Sequence, residues 1–195
     1  MKVLVACEWS GTVRDALMMH GIDAVSCDVL PSVIPGPHLQ CDVRDVISRP
    51  WRAVIAFPDC THIAVSGALH FAAKRADGRQ QEAIEFFLQF TRLPCPWAIE
   101  NPVGIMSRLY RKPDQIIQPW QFGHPESKKT CLWLHRLPPL NPTWVLKPPA
   151  CGHWQNQTPS GQNKLGPSPE RAKIRGKTYE GIALAMADQW GKLLK

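Results

Sequence analysis

The 195-residue sequence contains no run of about 18 or more apolar residues, which is the length that a membrane-spanning helix requires. Its amino-terminal stretch MKVLVACEWSG is strand-like and turns polar too soon to act as a secretory signal. The length suits one domain with a sizeable core, or one domain with a small appendage. These absences predict a cytoplasmic protein without a membrane partner.

The sequence also lacks closely spaced cysteine pairs. Its seven cysteines are scattered and form no CxxC motif, so free thiols are expected rather than a disulfide framework. Cys131, Cys151 and His153 leave a zinc site open as an alternative. Their Cys-Gly-His spacing does not match a zinc knuckle, and we predict no metal.

The glycine fingerprint GxGxxG of dinucleotide-binding proteins is absent, although the chain begins with a βαβ pattern. An apolar run at Lys2–Cys7, helical spacing over Thr12–His20 and a second run at Asp23–Asp28 make up this unit. Gly11 would let the backbone approach a ligand closely, and Asp28 could accept hydrogen bonds from ribose hydroxyls. The unit therefore predicts a nucleotide-like ligand that is not a dinucleotide.

Two further predicted strands end in residues that can do chemistry. Ala53–Cys60 has the pattern of a buried strand that stops at Pro58 and leaves Cys60 in the following loop. Pro96–Pro102 ends in the same way, with Glu100 next to an asparagine. Ligands of open α/β sheets bind beyond the carboxyl ends of the strands. We therefore expect the cysteine and the glutamate to face each other across a pocket.

The remaining pattern completes a sheet with helices on both faces. Apolar spacing indicates an amphipathic helix at Arg79–Arg92 and a closing helix at Tyr179–Leu194. Strands six and seven are expected at Gln115–Trp120 and Lys129–Leu134, and residues 61–74 are expected to form a mobile loop. This order favours a mostly parallel, doubly wound sheet with an antiparallel closing hairpin.

Charge is distributed unevenly along the chain. Residues 1–107 contain nine basic and eleven acidic residues, whereas residues 108–195 contain fourteen basic and five acidic ones. The net charges of −2 and +9 indicate that the amino-terminal part is nearly neutral and that the carboxyl-terminal part binds a polyanion. A surface that only aids solubility is the alternative. Residues 135–177, rich in Pro, Asn, Gln and Gly, form a polar and basic insert.

Several motifs along nearly the whole chain resemble, in their order, those of the cytosine-5 DNA methyltransferases. The motifs are CEWSG at 7–11, FPDC at 57–60, AIENPVGI at 98–105, QFGHPESKKTCLWL at 121–134 and TYEGIALAMADQW at 178–190. The chain is similar to the miniature members of bacteriophages and prophages. Its expected location is therefore the cytoplasm of a bacterium or of a phage-infected host cell.

The resemblance implies an α/β fold with a doubly wound, mostly parallel, seven-stranded Rossmann-like methyltransferase sheet, an antiparallel last strand and a small irregular insert. Residues 1–134 and 178–195 would form the catalytic core. Residues 135–177 would form a small, basic insert in the place of the family's target-recognition region.

The resemblance also implies S-adenosylmethionine as the cofactor. CEWSG would hold its methionine part, Asp28 its ribose and Asp42 its adenine, while ordinary turn roles for the two acids are the alternative. The implied cofactor residues are Glu8, Trp9, Ser10, Gly11, Asp28, Asp42 and Pro58. The chain departs from the family in five places. Asp59 stands where the family has proline, the cofactor loop lacks a second glycine, and the serine after the cysteine lies two positions further on than usual. Lys128 and Lys129 stand where arginines are common, and the target-recognition region is far smaller than usual.

The implied reaction is methylation of cytosine C5 in DNA. Cys60 would add to C6 of the ring, Glu100 would protonate or hydrogen-bond N3, and Asn101 would orient that carboxyl or the loop backbone. Phosphate contacts are expected from Lys128, Lys129, Arg171, Lys173, Arg175 and Lys177. Two alternatives are a related enzyme acting on RNA or on a free or modified pyrimidine nucleotide, and a catalytically silent DNA- or nucleotide-binding module.

Overall fold

The computed structural model describes residues 1–166 and 168–195, with the backbone alone at residues 169, 170 and 172. Its strands are β1 Val3–Ala6, β2 Ala24–Asp28, β3 His38–Gln40, β4 Ala53–Ala56, β5 Trp97–Pro102, β6 Gln115–Ile117 and β7 Thr130–His135. Over the described residues they form one seven-stranded sheet in the order β3-β2-β1-β4-β5-β7-β6. All residues of β1 and β4 are buried, as expected for parallel strands covered on both faces.

Strands β1 to β5 run parallel, and β7 runs antiparallel to both of its neighbours, β5 and β6. In the pairing of β5 with β7, Glu100 lies opposite Leu132 and Pro102 lies opposite Thr130. The predicted fold class, a mostly parallel seven-stranded α/β sheet with an antiparallel last strand, is confirmed. The carboxyl ends of β1, β2, β4 and β5 and the amino end of β7 share one side of the sheet, which we call the carboxyl edge.

The helices are α1 Thr12–Met19, α2 Phe71–Ala76, α3 Arg79–Phe90, α4 Met106–Leu109, α5 Pro169–Gly176 and α6 Glu180–Leu194. Short 3₁₀ turns occur at Val43–Asp45, Val65–His70 and Pro119–Gln121. No helix in the described ranges is both long and apolar enough to cross a membrane.

Apolar residues at helical spacing pack the two faces of the sheet. Helices α1 and α6 cover one face with the buried side chains Val13, Leu17, Ile182, Met186 and Trp190. Helix α3 covers the other face, where Phe87 and Phe90 are fully buried and the Phe87 ring packs edge-on against Trp133 with centroids 5.1 Å apart. The amphipathic patterns predicted for these helices are therefore confirmed.

Two predicted segments differ from the structure. Residues 61–74, predicted as a mobile loop, include the 3₁₀ turn Val65–His70 and the first part of α2. Strand β6 ends at Ile117 instead of continuing to Trp120. Pro119 explains the early end, because proline has no N–H group for the ladder and begins a 3₁₀ turn here.

The insert at 135–177 is less irregular than predicted. Its first part joins the core, because Leu137 and Leu140 are buried against the face covered by α6. Its last part is helix α5, where the Ser168 side chain caps the amino terminus by accepting a hydrogen bond from the Arg171 N–H (3.1 Å).

Helix α6 begins in close contact with the turn that precedes β7. The Gly181 N–H donates to Nε2 of His124 (2.9 Å). A Cβ atom at Gly181 would come 2.0 Å from the Phe122 carbonyl oxygen, far inside any van der Waals contact. The position therefore requires glycine for α6 to pack here.

Replacing Gly181 with alanine is expected to lower the free energy of unfolding by about 3 kcal/mol, because the added methyl group must push α6 away from the turn. Urea unfolding followed by tryptophan fluorescence measures the change. Gly191→Ala in the same helix is the matched control: its Cβ would lie 3.7 Å from Cδ1 of Ile22, an ordinary contact. Alanine at position 191 should leave the free energy of unfolding unchanged or raise it by up to about 1 kcal/mol. Equal midpoints for Gly181→Ala and the wild type would contradict the close packing.

Candidate active site

Cys60 lies just beyond the carboxyl end of β4. The strand ends at Ala56, Pro58 two residues later is buried, and the Cys60 side chain is half-buried in the loop that follows. The N–H groups of Ile63 and Ala64 both donate to the Cys60 carbonyl oxygen, at 3.1 and 2.9 Å. These bonds form a tight turn that keeps the thiol at the carboxyl edge. We call residues 58–65 the cysteine loop.

The cysteine loop is fastened to the loop that follows β5. The Val65 N–H donates to the Val103 carbonyl (3.0 Å), and the Ile105 N–H donates to the Ile63 carbonyl (3.0 Å). Gly104 lies at this contact, where a Cβ atom would come 2.4 Å from the Ile63 carbonyl oxygen. Backbone pairing thus holds the cysteine loop against β5, which is why the segment is more ordered than predicted.

Asn101 connects the tips of β4 and β5. It is 2% exposed, and its side-chain amide donates to the Pro58 carbonyl (2.8 Å). A buried amide with a satisfied hydrogen bond fixes the groups that it joins. Of the two roles predicted for Asn101, the contact corresponds to positioning the loop backbone.

Asp59 closes a turn inside the cysteine loop. Its Oδ1 accepts hydrogen bonds from the Thr61 N–H (3.1 Å) and the Thr61 hydroxyl (2.6 Å). Aspartate commonly fixes a turn through such bonds to residues two positions later. Hydrogen bonds to the Asp59 side chain therefore help to fix the conformation of the cysteine loop.

Glu100, at the tip of β5, faces a lysine. The Lys128 Nζ lies 3.9 Å from the Glu100 Oε1, and the two side chains are 20% and 17% exposed. Both line a small recess whose other walls include Phe57, Tyr179 and Met186. Low exposure reduces the screening between the two charges. The recess therefore presents a carboxyl and an ammonium group to anything that enters it.

The Cys60 thiol has a raised pKa. Burial is the largest cause, and the negative charges of Glu100 and Asp59 add to it, so that the pKa rises to about 11. The positive charge of Lys128 acts in the opposite direction. A ligand that neutralises the Glu100 carboxylate would remove one of the effects that keep the thiol protonated. The thiol, carboxyl and ammonium groups are thus electrostatically coupled.

Lys128 also joins the carboxyl edge to the insert. Its ammonium group donates to the Arg175 carbonyl in α5 (2.9 Å). A cleft of about 900 Å³ lies between core and insert, with the basic side chains Lys128, Lys129, Lys164, Arg175 and Lys177 in its lining. Of the other predicted phosphate contacts, Lys173 is exposed and Arg171 is half-buried. Lys128 lies inside the cleft beside Glu100, and its predicted contact with phosphate stays a prediction.

Glu8, directly after the turn that ends β1, carries a carboxylate oxygen without a partner. The residue is 4% exposed, and its Oε1 accepts hydrogen bonds from the Ser10 hydroxyl and from the Thr12 N–H (2.9 Å). Its Oε2 is buried and has no hydrogen-bond partner among the described residues. Burial raises the pKa of this carboxyl, and the two bonds oppose the rise. A buried polar atom of this kind is available to a ligand that donates a hydrogen bond.

The loop between β2 and β3 supports the turn that follows Glu8 through backbone and side-chain hydrogen bonds. The Trp9 carbonyl accepts a hydrogen bond from the Val33 N–H (2.9 Å), and Gly11 adopts a φ of 81°, a conformation that favours glycine. Arg14 is fully buried and donates to the Ile34 carbonyl (2.9 Å). The guanidinium group thus anchors the loop that supports the turn.

Asp28 and Asp42 follow neighbouring strands and each close a turn. Asp28 accepts a hydrogen bond from the Leu30 N–H (2.9 Å), and burial raises its pKa. Asp42 accepts from the Arg44 N–H (2.9 Å) and pairs with the Arg44 guanidinium, which lowers the pKa of that carboxyl. Both acids are turn-forming residues, and their roles toward ribose and adenine stay predictions.

The residues considered for zinc lie in different surroundings. Cys131 is buried in β7, opposite Asn101, and Cys151 is exposed in a turn where its thiol contacts the His153 carbonyl (3.3 Å). Within residues 1–166 and 168–195, no group of three or more His, Cys, Asp or Glu side chains is arranged to hold a metal ion.

Sequence reasoning assigned Lys128 only to phosphate and missed its position beside Glu100, and it did not identify Arg14 at all. A signal for Lys128 existed, because an antiparallel β7 must begin where β5 ends, so that residues just before β7 lie near Glu100. No comparable signal existed for Arg14, because a charged residue within an amphipathic helix ordinarily indicates the solvent side. Pairing between strands, once inferred, could thus have identified the lysine.

No protein-family model matches the chain, and no curated protein matches it. A solved structure from E. coli, described as that of a candidate DNA modification methyltransferase encoded within a prophage, is similar to it, with 15% sequence identity and a TM-score of 0.46. The match covers 69% of this chain and 46% of that chain. The present chain therefore spans less than half the length of the protein that it matches.

Proposed function

We propose that this chain transfers a methyl group from S-adenosylmethionine to C5 of cytosine in DNA, with Cys60 as the nucleophile. The observation that carries the proposal is the grouping of Cys60, Glu100 and Lys128 at the carboxyl edge. The carboxyl and ammonium groups lie 3.9 Å apart, and both act on the charge state of the thiol. A nucleophile, an acid and a fixed positive charge are the groups with which a pyrimidine ring can be activated.

Cytosine needs a nucleophile because its C5 does not attack a methyl group unaided. A thiolate that adds to C6 converts the ring into an enamine, whose C5 carries the required electron density. Cys60 suits this role, because its thiol lies in a turn at the carboxyl edge and a thiolate is a strong nucleophile even at a small ionised fraction. The hydrogen bond from Asn101 to the Pro58 carbonyl (2.8 Å) would keep the loop in place during addition.

Glu100 would act at N3 of the ring. Negative charge moves onto the ring as the thiolate adds, and a proton or hydrogen bond from Glu100 would accept it. The Lys128 ammonium group would favour both the thiolate and the anionic ring, since a fixed charge in a site of low exposure requires little reorganisation. A base such as a water molecule would then take the C5 proton, and the electrons of that C–H bond would re-form the ring double bond as the Cys60 thiolate leaves.

One structural observation supports binding of S-adenosylmethionine by the residues after β1. Among the described residues the buried Glu8 Oε2 has no protein partner, and a carboxylate oxygen of this kind suits an ammonium group. When bound, the cofactor supplies an electrophilic methyl group at the carboxyl edge. The residues proposed to bind it are Glu8, Trp9, Ser10, Gly11, Asp28, Asp42 and Pro58.

The DNA would bind in the cleft between the proposed core, residues 1–134 and 178–195, and the proposed recognition insert, residues 135–177. Lys129, Arg175 and Lys177 line this cleft. Contacts from such side chains to phosphates set the affinity and its salt dependence but do not read sequence. The target base must also leave the duplex, or be single-stranded, before its C6 can reach Cys60.

A free pyrimidine nucleotide is a second candidate substrate. The observation in its favour is the volume of the cleft, about 900 Å³, which lies in the range of pockets that enclose small ligands. The cleft meets the recess at Glu100 through Lys128, which lines both. The chemistry at Cys60 and Glu100 would be the same, and only the contacts beyond the ring would differ.

Incubating the protein with S-adenosylmethionine and oligonucleotides that contain 5-fluorocytosine is expected to yield a covalent adduct. Fluorine cannot leave C5 as a proton does, so the reaction stalls with the ring attached to Cys60. Denaturing mass spectrometry should detect protein, oligonucleotide and one methyl group in a single species. Without the cofactor no methylated adduct should form.

Each outcome of this experiment selects one hypothesis. An adduct with DNA supports the proposed reaction. An adduct with fluorinated cytidine nucleotide but not with single- or double-stranded DNA favours the second candidate. Cofactor binding by calorimetry without any adduct would instead identify a silent binding module.

A further inference from the structure

Two cysteine thiols lie side by side where β2 and β3 end. Cys27 is the penultimate residue of β2, and Cys41 directly follows β3. Their Sγ atoms are 3.8 Å apart. The Cys41 N–H donates to the Asp28 carbonyl (3.1 Å), which holds the two strand ends in register. The mechanism proposed above uses neither thiol.

A disulfide between these cysteines requires only a small movement. Neighbouring strands lie about 4.8 Å apart, and disulfides span Cα distances of about 4.4–6.8 Å. The two cysteines are not directly paired: Cys27 lies beside Leu39, and Cys41 follows two residues later, so the side chains and the turn at Cys41 must close the remaining distance. To reach a bond length of about 2.05 Å the Sγ atoms, now 3.8 Å apart, must approach by about 1.8 Å, which requires rotation of the side chains together with a small movement of the turn at Cys41.

Small reagents reach the pair through Cys41. Cys27 is fully buried, whereas Cys41 is half-buried. Burial, and next to it the hydrogen bond with the Cys41 thiol, raises the pKa of Cys27 to about 12, so that Cys27 stays protonated at neutral pH. Because Cys41 is the more exposed of the two, its sulfur is the one that reaches and attacks an oxidant first.

We propose that Cys27 and Cys41 form a reversible disulfide on exposure to hydroperoxide, and that this bond weakens ligand binding at the carboxyl edge. Cys41 first reduces hydrogen peroxide, taking one oxygen atom to become a sulfenic acid and releasing one water. The Cys27 sulfur then bonds to the Cys41 sulfur, and the hydroxyl leaves with the Cys27 proton as a second water. The two thiols lose two electrons in total, and an added dithiol reverses the reaction.

The effect on binding follows from the positions of the neighbouring acids and rests on the proposed function. Asp28 directly follows Cys27, and Asp42 directly follows Cys41. These are the acids proposed to contact the ribose and adenine of the cofactor. Drawing the two sulfur atoms together moves the backbone that carries both carboxyl groups, so the oxidised protein should bind the cofactor less tightly.

Peptide mapping tests the covalent step directly. The full chain is treated briefly with hydrogen peroxide, blocked with iodoacetamide and digested with trypsin, which cleaves after Arg14 and Arg44 and leaves both cysteines in peptide 15–44. After oxidation that peptide should be unblocked and lighter by two hydrogen atoms than the reduced peptide. Treatment with dithiothreitol before blocking should restore two reactive thiols.

Two variants test whether the oxidised peptide contains the disulfide between Cys27 and Cys41, and other results would contradict it. Cys41→Ser should abolish the oxidised peptide, whereas Cys151→Ser, which removes an exposed thiol elsewhere, should leave it unchanged. A link from peptide 15–44 to peptide 3–14 would show that Cys7 is the partner and would overturn the assignment. A sulfinic acid at Cys41, or no oxidation at all, would overturn it as well.

Calorimetric titration with S-adenosylmethionine tests the effect on binding. Oxidation is expected to weaken binding about tenfold, within the usual range of coupling between sites, and dithiothreitol should restore it. Equal affinities of the reduced and oxidised protein would overturn the switch even if the disulfide forms. Absence of binding to the reduced protein would contradict the proposed function, and the peptide map would still decide whether the thiol pair exists.

Discussion

Methyl transfer to DNA should fall by about 10⁴-fold or more when Cys60 is replaced with alanine, because no other step activates C5 of the ring. The affinity for S-adenosylmethionine should stay nearly unchanged, since the proposed cofactor residues lie on other loops or, like Pro58, keep their backbone position. Alanine removes only the sulfur atom from a half-buried position, so the fold should persist. Transfer of a labelled methyl group measures turnover, and calorimetry measures binding.

Cys95→Ala provides the matched control for that result. Cys95 is also a half-buried cysteine, and burial raises the pKa of its thiol, but it lies before β5, at the opposite end of that strand from Glu100. Its replacement should leave turnover and the fluorocytosine adduct unchanged. Retained turnover in Cys60→Ala would remove Cys60 as the nucleophile. An equal loss in both variants would point to a general loss of structure.

The sheet could be predicted from the sequence because its central strands are short, continuous apolar runs. Strands β1 and β4 read VLVA and AVIA, and every one of these residues is buried. Such runs suit parallel strands that are covered on both faces. The helices could be predicted because their apolar residues repeat at helical spacing and face the sheet.

The candidate site could be predicted in part, from strand ends. Cys60 lies four residues after β4 ends, and Glu100 lies in β5 just beyond its last residue paired with β4, Ile99. These strands are parallel neighbours. Their carboxyl ends must therefore lie side by side. The approach of Lys128 to Glu100 was not predicted, because it follows only once β7 is paired antiparallel to β5, and the predicted closing hairpin did not specify that pairing.

Contacts between distant segments could not be predicted. Residues 61–74 contain a Ser-Gly pair that favours a loop, but pairing of Ile63 with Ile105 orders the segment. Arg14 lies in an amphipathic helix and yet is fully buried, because the loop between β2 and β3 supplies the carbonyl of Ile34 as a partner. Backbone groups bind the side chain in that case, and their positions exist only after the chain has folded.

Replacing Lys128 with methionine is expected to lower kcat about 100-fold, as removal of one fixed charge from a reaction centre does. The variant should also shift the pH profile of kcat/KM to higher pH. The Lys128 charge lowers the Cys60 pKa, which burial and the Glu100 carboxylate raise to about 11. Without that charge the pKa rises further, and at every lower pH a smaller fraction of the thiol is ionised. Turnover measured from about pH 6 to pH 9 should rise with pH and remain below the wild type.

Lys129→Met is the matched control, because Lys129 is the next residue, is exposed and lines the same cleft. Its loss should weaken DNA binding and reduce the slope of log affinity against log salt by about one, with kcat and the pH profile unchanged. Lys128→Arg should restore most of the turnover, because it retains the charge beside Glu100. If Lys128→Met instead behaves like Lys129→Met, then Lys128 contacts only phosphate, as the sequence alone predicts. A shifted pH profile in Lys128→Met alone would assign its ammonium group to the reaction centre.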